Sequence, residues 1–210
     1  MANAFKDFFM RLFNGLFARK KNIRLGLYGP PNGGKTTLAN RISMDWLGEE
    51  VGAVSDIAHE TREIAVKEKV IIRRNGRSLT FNLIDTPGIT TKVDYEDFVR
   101  LGMRENEART RAKQATRGVI DSIKRLDEVD VVIVVMDATQ DPYSQVNITI
   151  MGNLEARKIP VLIAANKIDL KKANIKALQS AFPKYKIIGI SAKYGKNMED
   201  LYSALFEMVK

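Results

Sequence analysis

The residues from Gly29 to Thr36 have the types and the spacing needed to hold a chain of phosphates. They read Gly-Pro-Pro-Asn-Gly-Gly-Lys-Thr and fit the pattern G-x-x-x-x-G-K-[ST] in full. Glycines let backbone N–H groups approach phosphate oxygens, and a helix that begins at the lysine directs its positive N-terminus at them. We expect the Lys35 ammonium to bridge the β- and γ-phosphates and the Thr36 hydroxyl to hold Mg²⁺. The residues predicted to line the ligand are Asn32, Gly33, Gly34, Lys35, Thr36 and Thr37.

A second motif, Asn166-Lys167-Ile168-Asp169, follows the apolar run Val161–Ala165. A carboxylate at Asp169 can accept hydrogen bonds from N1–H and from the exocyclic amine of guanine, a pair of donors that adenine does not offer. Asn166 would contact another edge of the ring, and the stem of Lys167 would pack over its face. The tetrapeptide alone is frequent by chance, but in order behind a phosphate loop it predicts a guanine nucleotide.

A third motif, Asp85-Thr86-Pro87-Gly88, lies at the end of a β-rich run. Asp85 is placed to hold Mg²⁺ through water, and the Gly88 N–H can reach a γ-phosphate. A loop that makes both contacts would respond to the presence of that phosphate. The alternative is a plain turn that ends a strand.

An α/β architecture is needed to bring these motifs together. Ala65–Arg74 and Ser78–Ile84 are β-rich runs on either side of Asn75-Gly76, a turn signal that predicts an antiparallel hairpin. Val131–Met136 is a continuous apolar run, typical of a strand buried on both faces. We predict a mainly parallel mixed sheet of about six strands, one of them antiparallel, with helices on both faces and the nucleotide at the carboxyl ends of the strands.

One domain is predicted over residues 22–210, and it includes a long helical segment at about 95–127. That segment contains no proline and is rich in Glu, Arg, Ala and Lys, so we expect one long helix, or a helix pair broken at Gly102 or Gly118. Its many basic side chains fit either a solvated face with side-chain pairs or a surface for RNA or a protein partner.

Residues 1–21 form a separate amphipathic pattern. Apolar residues recur at spacings of three and four, which predicts a helix with one apolar face. This helix could cover an apolar patch of its own domain, lie on an anionic membrane through residues 1–20, or dock on a protein or RNA partner. The apolar residues are Phe5, Phe8, Phe9, Leu12, Phe13, Leu16 and Phe17.

Composition bounds the class of protein. The 210 residues carry a formal charge of +9, from 34 Lys and Arg against 25 Asp and Glu, which favours contact with nucleic acid or an anionic membrane but fits a solvated surface equally well. There is no cysteine, so disulfides and thiolate metal sites are excluded. Without a secretory signal or a long apolar run, the expected location is the cytoplasm, with the option of peripheral contact at the membrane.

Together the motifs resemble the translation-factor-related class of GTPases and, within it, the Era-like group. The residues that carry the resemblance are Gly29 to Thr36, Thr61-Arg62, Asp85 to Gly88, Asn166 to Asp169 and Ser191-Ala192-Lys193. The resemblance covers about residues 22–210 and implies a P-loop NTPase G domain that hydrolyses GTP to GDP with Mg²⁺. Lys35, Thr61 and Gly88 would act on the γ-phosphate, and residues 49–63 and 86–98 would form the switches.

Further roles are implied by the resemblance. Thr61 would close on Mg²⁺ and the γ-phosphate, and Ser191, Ala192 and Lys193 would line the base, with the Ala192 N–H meeting the guanine O6. Asn32 would help to bind K⁺, so hydrolysis stimulated by K⁺ through a GTP-dependent pair of G domains is a hypothesis. Ile89 stands where Ras-like enzymes carry a glutamine that positions water, so slow intrinsic hydrolysis is expected.

The family's C-terminal RNA-binding KH domain is not found in these residues, which predicts a stand-alone G domain and leaves the target open. Three roles remain: a switch for ribosomal or other RNA, a membrane-recruited switch that acts through the N-terminal helix, and a scaffold that binds GTP without hydrolysing it.

Overall fold

A six-stranded sheet forms the centre of the described chain. The computed structural model describes residues 22–47, 65–74, 77–86, 95–100 and 102–208. The strands are β1 Asn22–Tyr28, β2 Ala65–Arg74, β3 Arg77–Asp85, β4 Val131–Asp137, β5 Val161–Asn166 and β6 Lys186–Gly189. They lie in the order β2-β3-β1-β4-β5-β6, and all neighbours are parallel except β2 and β3, which are antiparallel. The predicted α/β class with a parallel sheet is therefore confirmed.

Helices cover both faces of the sheet. They are α1 Lys35–Leu47, α2 Tyr95–Arg100, α3 Glu105–Lys124, α4 Gln145–Ala156, α5 Ile175–Ala181 and α6 Met198–Met208, with a 3₁₀ turn at Arg125–Glu128. Buried residues of α1 and α6 form one core with one face of β1, β4 and β5. Residues of α3, α4 and α5 form a second core on the opposite face.

The apolar run at β4 explains how both cores share one strand. Successive side chains of a strand point to opposite faces of the sheet. Val131, Ile133 and Val135 accordingly pack in the core with α1 and α6, and the alternate residues of β4 pack in the other core. An apolar residue is needed at every position, which is why the sequence shows a continuous run rather than alternation.

The predicted helical segment at about 95–127 divides into α2 and α3. The break falls at Gly102, which has a φ of +92° and donates its N–H to the Val99 carbonyl at 2.9 Å. Glycine has no Cβ and adopts this left-handed backbone region at little cost, so α2 ends here. The helix α3 then continues through Gly118. Among the helices of the described residues, none is long and apolar enough to cross a membrane.

Other predicted features lie outside the described residues. These are the amphipathic helix at 1–21, the turn Asn75-Gly76, and the two switch residues Thr61 and Gly88.

Candidate functional site

The predicted phosphate loop connects the end of β1 to the start of α1. Its backbone requires glycine at two consecutive positions, Gly33 and Gly34, of which the motif specifies only Gly34. Gly34 has a φ of +94°, and a Cβ there would collide with the Asn166 side chain. A Cβ on Gly33 would lie 2.8 Å from the Val135 carbonyl oxygen. The loop therefore passes against β4 and β5 more closely than any other residue type would permit.

The Lys35 ammonium lies inside this loop. Its Nζ donates to the Pro30 carbonyl at 2.9 Å and to the Gly29 carbonyl at 3.3 Å, and the residue is only 6% exposed. Thr36 and Thr37 follow in the first turn of α1 and are half-buried, whereas Asn32 is exposed with a φ of +57°. A buried cation at the positive end of a 13-residue helix is an arrangement suited to a polyanion.

The end of β3 lies beside the end of β1. Asp85 is the last residue of β3 and is paired in register with Leu27. The Thr86 hydroxyl, which is fully buried, donates to the Leu27 carbonyl at 2.7 Å. Thr86 thus fixes the strand end that carries Asp85, a role the sequence did not reveal because the acceptor lies on another strand.

Asn166 joins the two halves of the site. It is the last residue of β5 and 3% exposed. Its Nδ2 donates to the Gly33 carbonyl at 3.0 Å, and its Oδ1 accepts from the Ala192 N–H at 3.0 Å. Both ends of the side-chain amide are therefore used within the protein. Direct contact of Asn166 with a base, and of the Ala192 N–H with O6, stay predictions.

Lys167 is held by a carboxylate that the sequence analysis did not identify. Its Nζ lies 2.7 Å from Oδ2 of Asp137, the last residue of β4. Oδ1 of Asp137 accepts from the N–H and the hydroxyl of Thr139, at 2.9 and 2.7 Å. Burial raises the pKa of Asp137, but the hydrogen bonds from Lys167 and Thr139 outweigh it and hold that pKa below its ordinary value. The sequence feature that could have identified Asp137 is its position as an acidic residue directly after the apolar run of β4.

Asp169 and the segment from Ser191 to Lys193 complete the site. The Asp169 carboxylate is exposed and, within the described residues, makes no hydrogen bond or ion pair, so it is open to a ligand. Ser191 is fully buried, and its Oγ accepts from the Tyr194 N–H at 3.3 Å. All of these segments follow the carboxyl ends of neighbouring strands.

The fold and the site together define a P-loop nucleotide-binding domain. Residues 24–167 match the family model described as "50S ribosome-binding GTPase". Over 195 residues the chain is 30% identical to the tRNA modification GTPase MnmE of Chlorobium chlorochromatii, covering 90% of this chain and 36% of that protein.

Solved structures of Era share the fold. An Era from Aquifex aeolicus, a single-residue variant bound to GDP·AlF₄⁻, has a TM-score of 0.67 and 24% identity and covers 90% of this chain and 57% of its own. A second Era structure, in complex with MgGDPNP and nucleotides 1506–1542 of 16S ribosomal RNA, has the same TM-score, 0.67, at 23% identity, with coverages of 90% and 57%.

The chain belongs to the 50S ribosome-binding GTPase family, as an Era-like small GTPase with a G domain. The chain spans about a third of the length of the MnmE relatives it matches.

Proposed function

We propose that this protein binds GTP with Mg²⁺ and hydrolyses it to GDP and phosphate as a molecular switch. The observation that carries the proposal is the double hydrogen bond of Asn166. It ties the phosphate loop at Gly33 to the base segment at Ala192. A cradle for phosphates and a guanine-reading motif are therefore parts of one site, which is what a guanosine triphosphate requires and a generic phosphate site does not.

Positioning and electrostatics carry the catalysis proposed here. The Lys35 ammonium and the N–H groups of the loop stabilise charge on the transferred phosphoryl group. Asp169 accepts from the guanine base, and the Lys167 stem covers the ring while its ammonium stays on Asp137. Buried donors that are fixed before the substrate arrives need little reorganisation during the reaction.

The residues fit a magnesium ion by their chemistry. Thr36 offers a hydroxyl in the first turn of α1, and Asp85 ends the strand beside β1, so both supply the hard oxygen ligands that Mg²⁺ prefers. When bound, the ion neutralises charge on the phosphates. Thr61 is proposed as a further ligand and Gly88 as a γ-phosphate contact.

Hydrolysis is tested with purified protein by phosphate release from GTP, with and without Mg²⁺. We expect slow turnover, abolished by Lys35→Ala.

The same assay in K⁺ and in Na⁺ buffer tests the proposed Asn32 site. Sedimentation with GDP and AlF₄⁻ tests the GTP-dependent G-domain dimer. Tight GTP binding without phosphate release in any buffer would support the scaffold role instead.

An RNA target is favoured by a groove along α3. Arg109, Lys113 and Arg117 follow one another at intervals of four residues, which places them on one side of the helix. The Arg109 guanidinium lies 4.0 Å from the centroid of the Tyr95 ring and is bonded to Glu105. Lys113 and Arg117 make no ion pair with any residue that the structure describes, so they supply the positive charge of the groove. The groove has a volume of about 620 Å³ and is lined by Tyr95, Arg109, Ala112, Lys113, Thr116, Arg117 and Ile120.

Cations beside an apolar floor suit a sugar-phosphate backbone with unstacked bases. A variant with Lys113→Glu and Arg117→Glu should bind a ribosomal RNA fragment more weakly and with a shallower dependence on salt. The matched control is Lys176→Glu with Lys184→Glu, which changes net charge equally at exposed positions outside the groove. Equal losses in both variants would mean that overall charge, not the groove, attracts RNA.

A membrane target is the alternative proposal and rests on the sequence of residues 1–20. Full-length protein should then sediment with vesicles that contain anionic lipid, and deletion of residues 1–20 should prevent it. A cytoplasmic location, with peripheral membrane contact, stays a prediction.

A further inference from the structure

The segment from Ser191 to Lys196 forms a tight turn that one arginine holds from outside. Ser191 and Lys196 close the turn with two backbone hydrogen bonds, at 3.2 and 3.1 Å. Arg41 reaches it from α1, donating from Nε to the Ala192 carbonyl at 3.2 Å and from Nη2 to the Lys193 carbonyl at 3.0 Å. Arg41 belongs to none of the sequence motifs, yet it binds two successive carbonyls of the predicted base segment.

The backbone of Ala192 is consequently fixed on both sides. Its N–H donates to Asn166, and its carbonyl accepts from Arg41. Asn166 also binds Gly33, which lies just before the helix that carries Arg41. The contacts form a closed ring that runs from the phosphate loop through Asn166 and Ala192 to Arg41 and back along α1.

The bond to the Ala192 carbonyl also determines where the next N–H points. That carbonyl and the Lys193 N–H belong to one planar trans peptide, so they point in opposite directions. The Arg41 guanidinium, bonded to the Ala192 oxygen, fixes the plane of this peptide and polarises the Lys193 N–H. Within the described part of the chain, the Lys193 N–H donates to no protein acceptor. A polarised, oriented and unused donor thus lies in the segment predicted to contact the base.

Arg41 is itself oriented by its neighbours. Its Nη1 lies 3.9 Å from Oδ1 of Asp45, one turn further along α1. The other carboxylate oxygen of Asp45 accepts from the Tyr202 hydroxyl at 2.6 Å, and Tyr202 on α6 is 5% exposed. Gly195, with a φ of +68°, also lies close to the guanidinium, since a Cβ there would be 3.4 Å from Cζ of Arg41. These contacts restrict the rotamers of a side chain that would otherwise be free at the surface.

We propose that Arg41 is a positioning residue for base recognition, which aims the Lys193 N–H at the C6 carbonyl of a guanine nucleotide. The inference rests on the proposed function, because it requires the base to lie beside residues 191–193. It adds a specificity determinant on α1, outside the motifs that define the family.

The test compares GDP with 6-thioguanosine 5′-diphosphate, which differs only at the acceptor atom. Affinities for both are measured by titration calorimetry for wild type, Arg41→Ala, Arg41→Gln and the control Arg157→Ala. Arg157 is also a helix-associated arginine with side-chain hydrogen bonds, but it binds Asp127 and Asn153. We expect wild type to prefer GDP about tenfold, as for one hydrogen bond to a polarised donor. In Arg41→Ala the affinity for GDP should fall about tenfold, and the preference for GDP over the 6-thio analogue should be less than about threefold.

Arg41→Gln keeps a single donor and should fall between these values, with the KM for GTP raised and kcat changed little. A purely structural role predicts instead that the affinities for both nucleotides fall equally and that the preference for GDP persists. That outcome overturns the inference, while phosphate release from GTP by wild type tests the proposed function separately. If wild type binds no guanine nucleotide, both proposals fail.

Discussion

The Tyr28 hydroxyl donates a hydrogen bond to the Ser122 carbonyl at 3.1 Å, across the buried space between β1 and α3. Tyr28 immediately precedes the phosphate loop, and it is fully buried. Gly26 leaves room for its ring, since a Cβ there would lie 2.6 Å from the ring edge. The residue that leads into the nucleotide site is therefore bonded directly to the helix whose opposite side carries the basic groove.

Removing this bond should destabilise the protein and change its response to alkali. Tyr28→Phe leaves a buried carbonyl without its donor, at a cost of about 1 kcal/mol in urea unfolding. Burial raises the pKa of Tyr28 well above its ordinary value. The hydroxyl then contributes stability that is complete below about pH 10 and lost above it. Wild type should lose more stability than Tyr28→Phe between pH 9 and 11, and parallel curves would contradict this assignment.

A methyl group on Gly34 should strongly weaken nucleotide binding. Gly34→Ala places a Cβ on the Asn166 side chain at a backbone angle that favours glycine, so the link between the loop and the base segment breaks. We expect GDP affinity to fall more than about 30-fold, given several kcal/mol of strain and lost contacts. Gly152→Ala is the matched control. Gly152 lies in α4 with open space around it, and its replacement should raise stability by up to about 1 kcal/mol without affecting binding.

Asp137→Asn should release Lys167 and alter stability in acid. Because the pKa of Asp137 is lowered in the folded protein, its bonds contribute stability that is present above the ordinary carboxyl pKa and lost as the pH falls through the folded value. The variant should be about 1 kcal/mol less stable at pH 7. It should also show a flatter decline below about pH 4. Urea unfolding at pH 3 to 7 measures both.

The control for that change is Asp127→Asn, which removes a mostly exposed ion pair with Arg157. Its effect should stay within about 0.5 kcal/mol at every pH. GDP affinity should fall in Asp137→Asn and not in the control, because only the first variant frees the side chain predicted to cover the base.

Asp169→Asn should change which base is bound. In the predicted site the Asp169 carboxylate would accept two hydrogen bonds from guanine, whereas the amide of asparagine keeps a carbonyl acceptor and adds an NH₂ donor that suits the C2 carbonyl of xanthine. GDP affinity should fall by about 10- to 100-fold while that for xanthosine diphosphate rises. Equal affinity for the two nucleotides in wild type would remove Asp169 from the base site.

The sequence predicted those parts of the structure that local pattern determines. The phosphate loop, the hairpin strands and the run at β4 follow from glycine placement and hydrophobicity within a few residues. The short helix α5 was not predicted, because at seven residues it is fixed by packing of Leu178 rather than by a long period. The roles of Asp137 and Arg41 were not predicted for another reason. Their partners are 30 and more than 150 residues away in the sequence, and only the order of the strands in the sheet brings each residue to its partner.

The burial of Lys35 distinguishes two kinds of polyanion binding by their response to ionic strength. An ammonium enclosed by the Pro30 and Gly29 carbonyls and 6% exposed is poorly accessible to counterions. Added salt should weaken nucleotide binding only modestly, since few ions are displaced when phosphate arrives. RNA that binds at the exposed Lys113 and Arg117 would release the cations condensed on its phosphates. Its affinity would therefore fall steeply as the salt concentration rises. The nucleotide would then remain bound in conditions that dissociate an RNA from the groove.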